Sequence, residues 1–207
     1  MAPATTIIDV CRDPELFAGW FRDAATWRSW FVFLRALFGL PMSGTDRKLY
    51  KQCTGRDDLP SGGVREAWLI CWRRAGKSFV LALIAVFLAC FCEWSRYLSP
   101  GERGTIMVLA ADRRQARTIY RYAHALLTRV PMLAQLVERE TAEAIDLNNG
   151  VTIEIMAASY RSVRGYTLIG RSPNRAACAG YTRPARSGCR WEVGRACSTP
   201  SRAGRRA

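Results

Sequence analysis

The sequence predicts an α/β fold, a parallel sheet with flanking helices, preceded by an N-terminal helical segment. Three observations carry this. Short apolar runs of strand length, "EAWLIC" at 66–71 and "TIMVLAA" at 105–111, alternate with longer stretches of helical periodicity. A glycine-bearing turn, "CWRRAGKS" at 71–78, joins the first run to a strongly apolar helix pattern. An Asn-Asn-Gly turn at 148–150 separates two alternating segments between Ile145 and Ile155. Strand, turn, helix, strand, helix is the rhythm of parallel strands joined by crossover helices.

The elements follow in order. From Pro14 to Phe38 the apolar residues Leu16, Phe17, Trp20, Phe21, Ala24, Trp27, Trp30, Phe31, Leu34, Leu37 and Phe38 recur three and four apart, which predicts one amphipathic helix. Its apolar face is expected to pack on a neighbouring domain. Trp and Phe on one side with Arg22, Arg28 and Arg35 elsewhere is also a composition that membrane-surface helices have. Gly39 and Pro41 end the helix, and the Gly-, Asp- and Pro-rich stretch Thr54–Gly63 predicts a linker.

A buried strand is expected over Glu66–Cys71, a core helix over about Lys77–Trp94, and a second buried strand over Thr105–Ala111. Asp112 with Gln115 three residues on resembles a capping box, so a helix begins there and ends near Pro131. Ile145–Ile155 reads as a hairpin, because Asn149-Gly150 tolerates the positive φ of a tight turn. No internal repeat is visible. After Gly170 the character changes: Val193 is the only Val, Ile, Leu, Met or Phe, and no periodicity survives. The expected organisation is therefore an N-terminal helical segment and linker over 1–60, an α/β core over 61–170, and a disordered basic tail over 171–207.

Charge is distributed as unevenly as apolarity. The net charge of +14 favours an anionic partner. Residues 171–207 hold nine Arg, no Lys and the single acid Glu192, so the tail supplies +8 and the rest +6. The opening "MAPATTIIDVCRDPE" has neither a basic start nor an apolar core, which predicts a cytoplasmic setting. There the eight Cys read as buried thiols rather than disulfides, and Cys90 and Cys92 lack the spacing and neighbours of a zinc site. The longest apolar run, Phe79–Phe91, is shorter than the roughly 20 residues of a membrane span.

The segment that carries chemistry is 71–78. A tight strand-to-helix turn can aim successive backbone N–H groups and a helix N-terminus at a polyphosphate. In such a loop Gly76 lets the backbone come close, Lys77 places an ammonium at the β- and γ-phosphates, and the Ser78 hydroxyl is a ligand for Mg²⁺. Arg73 and Arg74, beside Ala75, add positive charge where a triphosphate would lie. The Gly that usually opens the motif is replaced by Cys71. The strand before and the helix after are the context the motif requires, so the predicted sheet is of the P-loop NTPase type, with ATP and Mg²⁺ as ligands.

"WRRAGKSF" resembles the arginine-bearing phosphate loop of the large subunit of tailed-phage DNA-packaging terminases. "DPELFAGWFRDAATWRSWFVFLRALFGLPM", "YKQCTGR", "LAADRRQARTIYRYAHALL" and "SVRGYTLIG" agree with that family in the same order, over about residues 13–170. The resemblance implies an ATP-driven motor that packages double-stranded DNA in the bacterial host cytoplasm, working with a small terminase subunit and a capsid portal. Gly76, Lys77 and Ser78 would hold phosphates and Mg²⁺, Arg73 or Arg74 would contact the γ-phosphate, and Gln52 would face the adenine or be a surface glutamine.

The resemblance stops at Gly170. In the family an apolar strand ending in Asp-Glu follows, the pair that holds Mg²⁺ and polarises the attacking water. Here Arg171 arrives instead and the next acid is Glu192, so no catalytic residue is assigned. ATPase activity is expected to be weak or absent and nuclease activity absent, since both need metal-binding carboxylates. The switch to Arg-, Ala-, Gly- and Cys-rich sequence is what a frameshift in GC-rich coding DNA would produce. Loss of the strand that should lie beside the phosphate-loop strand is expected to leave apolar surface uncovered. The alternative is a small basic α/β nucleic-acid-binding protein with a cationic C-terminal arm. Three Cys and a Trp in a Lys-free tail favour the frameshift. The lone His124, inside the capped helix, needs no catalytic role.

Overall fold

A computed structural model of the chain describes residues 5–59, 62–64, 66–72, 74–158, 166–173 and 190–193. It is an α/β structure in which a five-stranded mixed sheet is flanked by helices.

The helix expected over Pro14–Phe38 forms only from Ala24 onward, and a separate short helix precedes it. Helix α1 spans Ile7–Arg12 and opens on a capping box, with Thr6 and Asp9 exchanging side-chain and backbone bonds. Asp13 then accepts from the Glu15 N–H at 2.8 Å, and the chain passes through a short 3₁₀ turn, Ala18–Trp20. Helix α2, Ala24–Phe38, starts only where Asp23 accepts from the Ala25 N–H at 3.0 Å. The Asp13 turn thus precedes, and the Asp23 cap divides, a stretch over 14–38 whose apolar spacing reads as continuous. Gly39, at φ 67°, ends α2 as predicted. Ser43 caps a further helix, α3 (Gly44–Thr54), which Gly55 closes at φ 71°.

Strand β1 is Ala67–Ile70, followed by helix α4, Lys77–Phe91. An apolar helix of this kind is buried on nearly all sides, and Val80, Ala82, Leu83, Ala85, Val86 and Ala89 are all inaccessible or nearly so. It stops short of the predicted Trp94 because that residue turns back, its indole N–H donating to the Leu88 carbonyl at 2.7 Å. Asn149 Nδ2 likewise donates to the Ala89 carbonyl at 2.8 Å, so the last turn of α4 is satisfied by two side chains from outside it.

Strand β2 (Gly104–Ala110) leads to helix α5 (Arg113–Thr128), and Asp112 caps α5 by accepting from the Gln115 N–H at 2.8 Å. The reciprocal half of the predicted box goes to the neighbouring residue, with Gln115 Oε1 accepting from the Ala111 N–H. Pro131 opens a one-turn helix, α6 (Pro131–Ala134). Strands β3 (Val137–Glu140), β4 (Ala144–Leu147) and β5 (Val151–Ala157) follow, with Gly150 at φ 81° in the turn of the predicted hairpin. Strand β6 is Leu168–Pro173 and strand β7 is Arg190–Val193.

The sheet order is β3-β4-β5-β2-β6. Only β5, β2 and β6 run parallel; the β3–β4 and β4–β5 pairs are antiparallel, which makes the sheet mixed and corrects the expectation of a parallel one. Helices α4 and α5 lie side by side on β2 and β5, against Ile106, Val108, Ala110, Val151, Ile153 and Ile155. These residues alternate with Met107 and Met156, which are buried outside that cluster, as the period of two demands.

Strand β1 corrects a second expectation. It stands outside the five-stranded sheet and pairs antiparallel with β7. Ala67 and Leu69 pack against the core, whereas Trp68 is 39% and Ile70 53% exposed, so the strand is covered on one face and not buried. The position beside β2 that would complete the sheet is taken by β6, which continues through 171–173, where the sequence reading ends the core. Apart from 171–173 and 190–193, the expected tail lies outside the described residues. Among the described residues no helix is long and apolar enough to cross a membrane.

Two contacts hold the approach to β1. The Val64 N–H donates to the Leu37 carbonyl at 3.0 Å, and the backbones of Gly39 and Gly63 meet so closely that a Cβ on Gly39 would lie 2.1 Å from Gly63 N. Gly39→Ala therefore costs about 2–3 kcal/mol in urea unfolding, from strain at positive φ plus displacement of the 62–64 segment. Gly55→Ala, with the same sign of φ but open space around it, costs about 1 kcal/mol.

Glu154 on β5 accepts from the Tyr166 hydroxyl at 2.8 Å. Burial raises its carboxyl above the ordinary value of 4.5, Glu143 and Asp146 push the same way, and the tyrosine bond opposes them. A raised carboxyl pKa means the folded state holds the proton more tightly, so this contribution is full below the ordinary value and is lost as pH rises through the raised one. Glu154→Gln accordingly unfolds like the wild type at pH 3 and at higher temperature than the wild type at pH 7.

Candidate phosphate-binding site

The segment from β1 to α4 is the candidate site. Among the described residues Arg74, at φ 64°, is the only non-glycine with positive φ. Gly76 follows at φ 87° and ψ 7° as the N-cap of α4. Ala75 between them and Lys77 after them have negative φ, so the backbone alternates in hand from 74 to 77. Such alternation turns successive N–H groups toward one hollow, the geometry of an anion nest. Among the described residues no acceptor meets the N–H groups of Gly76, Lys77 or Ser78, and no side chain caps α4. The positive end of a 15-residue helix adds to the same hollow.

Lys77 is folded over this turn. Its ammonium donates to the Trp72 carbonyl at 2.7 Å and to the Cys71 carbonyl at 3.1 Å. The Ala75 N–H closes the turn on the Trp72 carbonyl at 3.4 Å, and the Val80 N–H begins the helix on Gly76 at 3.1 Å. Cys71, where the motif usually has Gly, is half-buried and contributes its carbonyl to this arrangement. Ser78 is half-buried in the first turn of α4 and Arg74 is exposed. Arg73 lies outside the described residues. The structure therefore brings Arg74, Ala75, Gly76, Lys77 and Ser78 together in one turn. It places Gln52 on the exposed side of α3. His124 pairs through Nε2 with Glu140 Oε2 at 3.2 Å, tying α5 to β3. Among the described residues no cluster of His, Cys, Asp and Glu could hold a metal ion.

Helix α2 supplies what the motif alone does not reveal. The Trp30 indole N–H donates to the Ala75 carbonyl at 2.8 Å. A Cβ on Gly76 would lie 3.5 Å from two ring carbons of Trp27 and 3.6 Å from Trp30 Nε1, so both indoles line the outside of the turn. Phe79, in the first turn of α4, sits among Phe21, Trp27 and Tyr122 with ring centroids 5.7, 5.4 and 5.6 Å away. Helical spacing marks Trp27 and Trp30 as apolar-face residues. Their contact with a segment about 45 residues on is tertiary and has no local signature.

Phe21 also floors a cleft of about 430 Å³ between α1, α2 and α3, which carries Arg12, Arg28 and Arg35 on its walls with the single carboxylate Asp46. Burial pushes the thiol pKa of Cys11 and of Cys90 up to about 12.

Comparison with protein-family models, with curated proteins and with solved structures finds no match to this chain. The site rests on its own geometry.

Phe79 joins α2, α4 and α5 at the point where the turn ends and α4 begins. Phe79→Ala costs about 3–5 kcal/mol in denaturant unfolding, the range for emptying an aromatic position in a packed core.

Proposed function

We propose that residues 71–78 form a phosphate-binding loop, that the α/β unit is of the P-loop type, and that the chain binds ATP with Mg²⁺ there. One observation carries the reading: the backbone alternates in hand over 74–77, with N–H groups that meet no acceptor among the described residues and a lysine ammonium at the same turn. A polyphosphate would take the place of the two carbonyls that Lys77 now contacts, and the Ser78 hydroxyl would serve as the Mg²⁺ ligand. Arg74, with Arg73 beside it in sequence, would face the γ-phosphate.

The resemblance over residues 13–170 extends this to a wider proposal. The chain is the ATP-binding part of a terminase large subunit, a motor acting on double-stranded DNA in the host cytoplasm with a small subunit and a portal. The sequence after Gly170 has no Asp-Glu pair to position metal and water, so the chain as given binds nucleotide without turning it over.

A fluorescent ATP analogue titrated with Mg²⁺ tests the reading. Lys77→Ala weakens binding by tenfold or more. Ser78→Ala weakens binding of the magnesium complex while leaving metal-free nucleotide nearly unchanged. Equal affinity of wild type and Lys77→Ala defeats the assignment, and sustained phosphate release by the wild type defeats the claim of no hydrolysis.

A further inference from the structure

The strand-turn-helix motif explains Gly76, Lys77 and Ser78 but leaves open what fixes the peptide planes between them. Strand β1 lies outside the five-stranded sheet and, among the described residues, pairs with β7 alone, so that sheet does not place the loop. Bonds from the Lys77 ammonium and the Ala75 N–H close the turn on itself, and the Trp30 indole N–H on the Ala75 carbonyl at 2.8 Å ties it to α2.

That bond has a directional consequence. The described chain contains no cis peptide, and in a trans peptide unit the C=O and the following N–H point in opposite directions. Holding the Ala75 oxygen toward α2 therefore aims the Gly76 N–H away from α2. The side toward α2 is already filled, because the Trp27 and Trp30 rings line it. Turning the 75–76 peptide over would bring the Gly76 N–H against those rings and leave both the indole N–H and the Ala75 oxygen without the partner each now has.

We infer that Trp30 is a positioning residue for the phosphate loop: its indole N–H fixes the Ala75–Gly76 peptide so that the Gly76 N–H faces the hollow where a polyphosphate binds. The inference rests on the phosphate-binding reading above. It assigns to α2 a function beyond packing, since the donor acts on a main-chain group one residue from the lysine.

A merely structural role is separable by experiment. Phe38, at the far end of α2, packs edge-on against Phe87 of α4 with centroids 5.3 Å apart, so Phe38→Leu loosens the same helix pair without touching the loop. The full chain is titrated with the fluorescent ATP analogue and Mg²⁺, and thermal unfolding is recorded in parallel. Trp30→Phe, which keeps a ring but has no donor, weakens binding about fivefold to tenfold, the scale of one lost hydrogen bond. Phe38→Leu lowers the unfolding temperature and leaves affinity within about twofold of wild type. Site-specific replacement of Trp30 by 3-benzothienylalanine keeps the bicyclic shape and removes only the N–H. It gives the same loss as Trp30→Phe and decides the matter if the phenylalanine variant does not fold. Wild-type affinity in the donor-less variants, with binding still lost in Lys77→Ala, overturns the positioning role and leaves the phosphate loop standing. Wild-type affinity in Lys77→Ala as well overturns both.

Discussion

The grip of helix α2 on the chain between Gly63 and Gly76 is the constraint on which the candidate site depends. At one end the Gly39 and Gly63 backbones touch and Val64 bonds to Leu37; at the other Trp30 holds Ala75 and Trp27 lies against Gly76. Between these anchors lie β1 and the turn. A strand inside a sheet takes its place from two ladders. Here, among the described residues, β1 has one short partner, β7, and an outward face bearing Trp68 and Ile70. The helix therefore substitutes for the missing neighbour, through two backbone-level contacts and an aromatic cluster centred on Phe79.

Beyond the anchors the energetics are those of an ordinary core. Apolar residues of α1 and α2 and those of α4, α5 and the sheet form one continuous cluster, and burial of this kind is the dominant favourable term. The unusual local feature is Lys77. Its ammonium lies partly out of water and is satisfied by two carbonyls of the same turn. The loop is thus closed on itself by its own lysine, and Arg74 at positive φ is strain that the surrounding contacts hold in place.

Much of this was legible in sequence wherever the signal is local. The Gly39 stop of α2, the Asp112 cap of α5, the Gly150 turn and the order of strand, turn and helix around Gly76 all follow from residues within a few positions of one another. What failed was tertiary. The apolar run 66–71 reads as a buried strand, but its place depends on which neighbours the rest of the chain supplies. Helical spacing from Leu16 to Phe38 is real, yet Asp23 offers the backbone a competing acceptor and divides it. Helix α3 was missed because its exposed, charged surface leaves Tyr50 and Cys53 as its only buried residues. The site was half legible: Gly76, Lys77 and Ser78 announce themselves, while Trp30 is silent until the fold brings it to Ala75.

The order of the anchors along the chain bears on how the molecule assembles. Residues 24–38 leave the ribosome before 63–76, and N-terminal parts of a chain gain structure first during synthesis. Helix α2, with its own cap and stop, is ready as a template when the turn appears. Closing the gap between Trp30 and Ala75 costs loop entropy that grows only slowly with length, so the late segment can settle onto an early one.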